Sequence, residues 1–227
     1  MNVYESERLI DMPDGLLRPG GFELTERLVS LARLSPGARI LDVGCGIGSA
    51  SDYLAGLGFE AVGVDISDVL TGRGRKLYPH IHIVTADAEK DLPFDDNSFD
   101  AVLFECSLSL MDAPAALKEA QRVMKQDGKL LISDVFDKEG RLMCLTSGKK
   151  HKPFPFGFLH FEDRTDVFES FVAELIMNTG GVDALFDCTQ WEKIKKEKPR
   201  YCLAVGTAVM QNAELIRNSE CGIRERG

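Results

Sequence analysis

Three glycines spaced by single residues, Gly44-Cys45-Gly46-Ile47-Gly48, follow the short apolar run Ile40-Leu41-Asp42-Val43. The run reads as a buried strand and the glycines as its turn into a helix. Glycine permits positive φ and lets a ligand approach the main chain closely. A nucleotide-like ligand lying across the ends of parallel strands needs such a turn. The spacing is Gly-x-Gly-x-Gly. Counting six positions from Gly44 or from Gly46 reaches Ser49 or Ser51, so the dinucleotide fingerprint fails in either register. A carboxylate, Asp42, stands two positions before the first glycine. A second, Asp65, ends the next apolar run, residues 59–65. A carboxylate at the tip of a neighbouring strand can accept both ribose hydroxyls of an adenosine moiety. Its competing use, capping the following helix, is already supplied by Ser67 and Asp68.

The elements that must position these groups follow from the pattern around them. Leu24, Leu28 and Leu31 recur at helical spacing, which gives a helix over about 22–34, stopped by Ser35-Pro36-Gly37. A helix is expected over 49–57, closed by Gly58. The helix over about 67–78 carries Gly72 and Gly74 and is expected to be irregular or frayed. Strands follow at 81–85, 101–105 and 129–135. Asp112 caps a helix with Pro114 in its first turn, and that helix is expected to run to Asp127-Gly128. Strand and helix alternate with short connections, so the sheet is parallel with helices on both faces.

Composition sets the limits. The 227 residues are 28% charged and 44% hydrophobic, ordinary for a globular domain, with a formal net charge of −9. That charge disfavours nucleic acid or an anionic membrane as the default partner. The cysteines at 45, 106, 144, 188, 202 and 221 have no metal-binding spacing and read as free thiols in a reducing compartment. The opening stretch lacks a signal-peptide core, and no stretch approaches the roughly 20 apolar residues of a membrane helix, so a cytoplasmic protein is expected.

The Asp42–Gly48 turn resembles motif I of the class I S-adenosylmethionine (SAM)-dependent methyltransferases, of the small-molecule, methyltransferase type 11 or ubiquinone–menaquinone-biosynthesis-like kind. The string Leu92-Pro93-Phe94 through Ser98-Phe99-Asp100 strengthens that resemblance. It implies a Rossmann-like, doubly wound, mostly parallel seven-stranded α/β sheet with the last strand antiparallel. It implies SAM as methyl donor, no metal, and a small-molecule acceptor. The implied cofactor residues are Asp42, Gly44, Cys45, Gly46, Gly48, Asp65, Ile66, Asp87, Ala88, Glu105 and Ser107. Asp87 would bond the adenine amino group, and Ala88 would offer its N–H to the ring. Glu105 would place a carboxylate beside the sulfonium or accept a hydrogen bond from the cofactor. The stretch Arg18-Pro19-Gly20-Gly21 is read first as a plain turn into the helix, with reach to the methionine carboxylate as the alternative. The Asn/Asp-Pro-Pro-Tyr signature of amino-group methyltransferases is absent, which argues against adenine-N6 or glutamine-N5 as acceptor.

The C-terminal third departs from that pattern. Residues 137–155 leave room for only a short helical turn around 141–145. Residues 156–162 read as strand six. An amphipathic helix over 165–178 and a second over 182–195 then form a helical insert before the closing strand at 201–208. The insert would act as a lid or pack on a second copy as a homodimer. The expected organisation is a methyltransferase domain over 1–208, with its core at 22–136 and the insert at 163–198, and a polar tail at 209–227. No catalytic residue is assigned. His151, beside the basic run Lys149–Lys152, and His160 are the candidates for a general base. Two other functions compete with methyl transfer to a small molecule: a SAM-binding sensor or assembly module without turnover, and an NAD-dependent oxidoreductase, which the glycine spacing opposes.

Overall fold

The strands, those at the edges of the sheet aside, are built on apolar runs, as expected where both faces of a sheet are covered. In the computed structural model, which describes residues 18–137, 141–143, 158–179, 196 and 198–207, they form one seven-stranded sheet. The elements in chain order are α1 (Gly21–Ala32), β1 (Arg39–Val43), α2 (Ser49–Gly56), β2 (Glu60–Asp65), α3 (Asp68–Leu77) and β3 (His82–Thr85). Then come β4 (Phe99–Glu105), a 3₁₀ turn (Leu108–Leu110), α4 (Ala113–Val123), β5 (Met124–Phe136), β6 (Phe158–Asp163), α5 (Thr165–Thr179) and β7 (Arg200–Thr207). The strand order is β3-β2-β1-β4-β5-β7-β6. β1 through β5 pair in parallel, and β7 is antiparallel to both β5 and β6. The order reverses between β1 and β4, and the carboxyl ends of strands at such a reversal open into a crevice.

Side chains alternate between the two faces of the central strands. Ile40, Leu103 and Leu131 face α1, where Leu24, Leu28 and Val29 cover them. Leu41, Phe104 and Ile132 face the opposite layer, covered by Ala116, Leu117 and Ala120 of α4. The sheet is thus clamped with its strand tips free at one end, and its tips can hold polar groups at fixed spacing.

Three local readings change. α3 is a continuous helix rather than a frayed one. Gly74 is there for close approach: a Cβ on it would lie 2.4 Å from the Ile47 carbonyl oxygen and 2.8 Å from Ile83 Cδ1. α4 ends at Val123, four residues before Asp127, because Met124 turns into β5 and pairs with Phe99. Residues 141–143 are extended, not helical: Leu142 bridges Phe136, and the Met143 N–H donates to the Val135 carbonyl at 2.9 Å. α5 rests on the sheet through Val167 and Phe168, the latter stacked on Tyr201 with ring centroids 5.9 Å apart. The expected second insert helix at 182–195, the Lys149–Lys152 run with His151, and the tail from 209 lie outside the described residues.

Candidate cofactor site

The glycine turn closes the tip of β1 with three left-handed residues, Gly44 (φ 75°), Gly46 (φ 58°) and Gly48 (φ 87°). It is tied to the neighbouring strand: the Gly44 and Cys45 N–H groups both donate to the Val64 carbonyl, at 2.8 and 3.0 Å. Gly44 must be small as well, because a Cβ there would lie 2.5 Å from Ser107 Cβ. A Cβ on Gly46 would meet no protein atom within 4 Å, so the turn leaves open space beside its backbone. Gly48 caps α2 and packs on Ile83.

Asp65 joins the turn to the next helix. One carboxylate oxygen accepts the Gly46 N–H at 2.9 Å and the other accepts the Ser67 N–H at 2.8 Å. Ser67 in turn caps α3 by accepting the Leu70 N–H. Each Asp65 oxygen has a further lone pair for a ligand hydroxyl. Asp42 lies behind the turn, almost fully buried, where the Ser51 hydroxyl donates to it at 2.8 Å. Burial pushes its carboxyl up to about 7, against the opposing effect of the Ser51 hydrogen bond.

The third and fourth tips complete the wall. Asp87 follows β3, pairs with Lys90 and accepts the Glu89 N–H, and these contacts hold its carboxyl below the ordinary range. At the tip of β4, Cys106 takes a left-handed conformation (φ 54°) that is unusual for a residue with a Cβ. Its thiol meets the Tyr201 hydroxyl at 3.0 Å, which also bonds Ser133 Oγ at 2.6 Å, and burial pushes that thiol up. The Ser107 hydroxyl donates to the Val43 carbonyl at 2.6 Å. Glu105 accepts from Arg18 Nη1 and from Thr25 Oγ1, each at 2.8 Å.

These tips enclose one cavity of about 360 Å³. Gly44, Cys45, Gly46, Asp65, Ile66, Asp87, Ala88, Glu105 and Ser107 all line it, whereas Asp42 and Gly48 stand behind its wall. His160 is exposed on β6, opposite Val205, and is not among the lining residues. Arg18 is part of the wall, contrary to the plain-turn reading, as are Leu110 and Met111 beyond the 3₁₀ turn. Arg18 was not legible because its partner Glu105 is 87 residues away in the chain. The groups present fit SAM. The open space at Gly46 accepts a close ligand, the carboxylates of Asp65 and Glu105 suit hydroxyls and a cationic centre, and apolar Ile66, Leu70 and Ala88 suit an aromatic ring.

This sheet order, with β7 reversed, matches a Rossmann-like methyltransferase fold. The match to known proteins falls on the same part of the chain. Residues 41–132 fit the family model described as a methyltransferase domain. Over 126 residues it is 36% identical to a demethylmenaquinone methyltransferase of Renibacterium salmoninarum, a match spanning 55% of this chain and 53% of that protein. The chain thus spans about half the length of that curated relative. Among solved structures, phosphoethanolamine N-methyltransferase 2 of Haemonchus contortus in complex with SAM superposes with a TM-score of 0.67 at 18% identity, over 90% of this chain and 56% of that one. The [4+2]-cyclase SpnF superposes with a TM-score of 0.63 at 23% identity, over 82% of this chain and 80% of that one. At these identities the solved structures speak for the fold.

Proposed function

We propose that the protein transfers a methyl group from SAM to a small-molecule acceptor by in-line displacement. The observation that carries the proposal is the convergence of the Gly44–Gly48 turn, Asp65, Asp87 and Glu105 on one cavity. Bound SAM supplies a methyl group on a positively charged sulfur, a good leaving group. The chain contributes binding, orientation and exclusion of water. Asp65 is assigned to the ribose hydroxyls, Asp87 and the Ala88 N–H to the adenine, and Glu105 and Ser107 to the methionyl end. Cys106, Leu110 and Met111 form the less polar wall on the β4 side, where a desolvated acceptor would sit. An acceptor of low pKa, such as a phenol or thiol, needs little help from a base, and no side chain is assigned that role. The free thiols of Cys45, Cys106 and Cys202 suit the cytoplasm.

The relatives' names supply the acceptors to try first: a quinol and a phosphorylated amine. Incubation with methyl-labelled SAM and such a panel, with S-adenosylhomocysteine (SAH) production as readout, should give turnover with at least one acceptor. SAM binding with no SAH formed from any of them would instead favour a binding module.

A further inference from the structure

Ser133, Tyr201 and Cys106 form a hydrogen-bonded chain that runs from inside the sheet to the wall of the cavity. The Tyr201 hydroxyl lies 2.6 Å from Ser133 Oγ and 3.0 Å from Cys106 Sγ. Tyr201 and Ser133 are fully buried, whereas Cys106 is half-buried and lines the cavity. Tyr201 is fixed by its ring and its backbone. The ring stacks on Phe168, the N–H donates to Thr165 Oγ1 at 3.3 Å, and the carbonyl accepts the Arg164 N–H at 2.7 Å. Cys106 is tied down as well, its N–H donating to the Ser133 carbonyl at 2.8 Å. Among the described residues with a side chain, positive φ occurs at Arg33, Asn97, Cys106 and Lys198, and of these Cys106 alone lines the cavity. Backbone strain of this kind persists where the surroundings over-determine it, and it clusters at sites that bind or react.

The hydrogens of the chain can be counted. Each of the three groups carries one, and two of them fill the two links. If Cys106 donated to Tyr201 and Tyr201 to Ser133, the Ser133 hydrogen would be stranded inside the sheet, since Ser133 Oγ has no other partner among the described residues. If both ends donated to Tyr201, the phenol hydrogen would be stranded there instead. A buried donor left without an acceptor is costly. The order Ser133 to Tyr201 to Cys106 leaves over only the S–H, at the end that lines the cavity. Burial pushes the thiol up, so its proton stays on sulfur at neutral pH. A neutral thiol is neither a base nor a strong nucleophile. It is a weak donor, strengthened by the hydrogen bond it accepts from Tyr201.

We propose that Cys106 is a catalytic residue of the methyl transfer, its S–H donating to the nucleophilic atom of the acceptor, with Tyr201 and Ser133 as the residues that position it. The assignment rests on the reading of the cavity as the site of transfer from SAM. The acceptor enters ionised. One of its lone pairs forms the bond to the methyl carbon, the bond from that carbon to the sulfonium sulfur breaks, and the electron pair stays on sulfur to give SAH. A second lone pair on the same atom takes the S–H, and the thiol keeps its proton throughout. The acceptor atom therefore carries at least two lone pairs, which an ionised phenol or thiol has and an amine nitrogen lacks. A weak donor suits this task, because it aligns the nucleophile while withdrawing little charge from it.

The test uses the full chain saturated with SAH and two probes of similar shape, 4-nitrophenolate and 4-nitroaniline. The infrared S–H band that disappears in Cys106→Ala is the reporter. In wild type, 4-nitrophenolate should move that band to lower frequency and 4-nitroaniline should not. In probe-free Tyr201→Phe the band should hold its place; a rise in frequency would show the S–H donating inward to Tyr201 and overturn the proposal. By calorimetry, Cys106→Ala should weaken 4-nitrophenolate about two- to fivefold, the scale of a weak hydrogen bond, and spare SAH. Equal weakening of 4-nitrophenolate and SAH would overturn the proposal in favour of a structural role, and equal band movement by the two probes would overturn the choice of acceptor atom. Wild type that binds no SAH would overturn the SAM reading, and this proposal with it; wild type that binds SAH and whose band 4-nitrophenolate leaves unmoved would overturn this proposal alone.

Discussion

The Asp65 carboxylate, at the tip of β2, accepts the Gly46 N–H at 2.9 Å and so fixes the glycine turn of the adjacent strand. Its other oxygen accepts the Ser67 N–H at 2.8 Å. One side chain therefore holds the turn, starts α3 and presents lone pairs to the cavity. Asp65→Ala should weaken SAM binding at least tenfold and cost about 1–3 kcal/mol of stability from two unsatisfied N–H groups. Because the turn itself loosens, 2′-deoxy-SAM gives the sharper reading. Wild type should discriminate against it and Asp65→Ala should not, whereas unchanged SAM affinity in the variant would remove Asp65 from the ribose.

Asp42 ties stability to pH. Its folded carboxyl titrates at about 7, against 3.8 for the ordinary group, because it is buried. Between those values the unfolded chain is ionised there and the folded chain holds the proton, so stability falls as pH rises from about 4 to about 7 and levels off above. The slope from this one group is at most about 1.4 kcal/mol per pH unit. Asp134, also buried and shifted upward, adds the same sign. Urea unfolding of wild type and Asp42→Asn across pH 5 to 8 isolates the Asp42 share, and the variant should show the shallower dependence.

The two glycines of α3 should respond in opposite directions to alanine. A Cβ at Gly72 meets nothing closer than Arg75 Nη2 at 3.9 Å, so Gly72→Ala should stabilise by about 0.5–1 kcal/mol through the unfolded chain. A Cβ at Gly74 would lie 2.4 Å from the Ile47 carbonyl, part of the glycine turn. Gly74→Ala should cost about 1–3 kcal/mol and weaken SAM as well, because the backbone it displaces lines the cavity. Thermal unfolding with and without SAM measures both effects.

The turn-rich loop after β3 depends on Arg122. It donates to the Leu92 and Phe94 carbonyls at 2.8 Å each and pairs with Asp96 and Glu119, while Glu119 accepts the Leu92 N–H. Arg122→Met should cost about 2 kcal/mol, most of it from the buried Glu119 left without its partner. Residues 92–98 do not line the cavity, so SAM affinity should change much less than in the Asp65 variants.

Sequence alone carried the parts of this protein whose causes are local. β1, β2 and β4 are apolar runs that end on a glycine or carboxylate, and a strand buried on both faces leaves that signature. What it could not carry depends on contacts made far along the chain. Met124-Lys125-Gln126 reads as more helix, and only the pairing of Met124 with Phe99 turns it into β5. Gly74 reads as a helix weakness, and only the Ile47 carbonyl beside it explains the missing side chain. Arg18 reads as part of a turn, and Glu105, from the tip of β4, makes it a wall of the cavity.

The most direct measurement is calorimetric titration of the wild-type chain with SAM, followed by displacement with SAH and a parallel titration with NADH. One SAM per chain at micromolar affinity, displaced by SAH and indifferent to NADH, is the predicted result. No heat with SAM together with saturable NADH binding would contradict it.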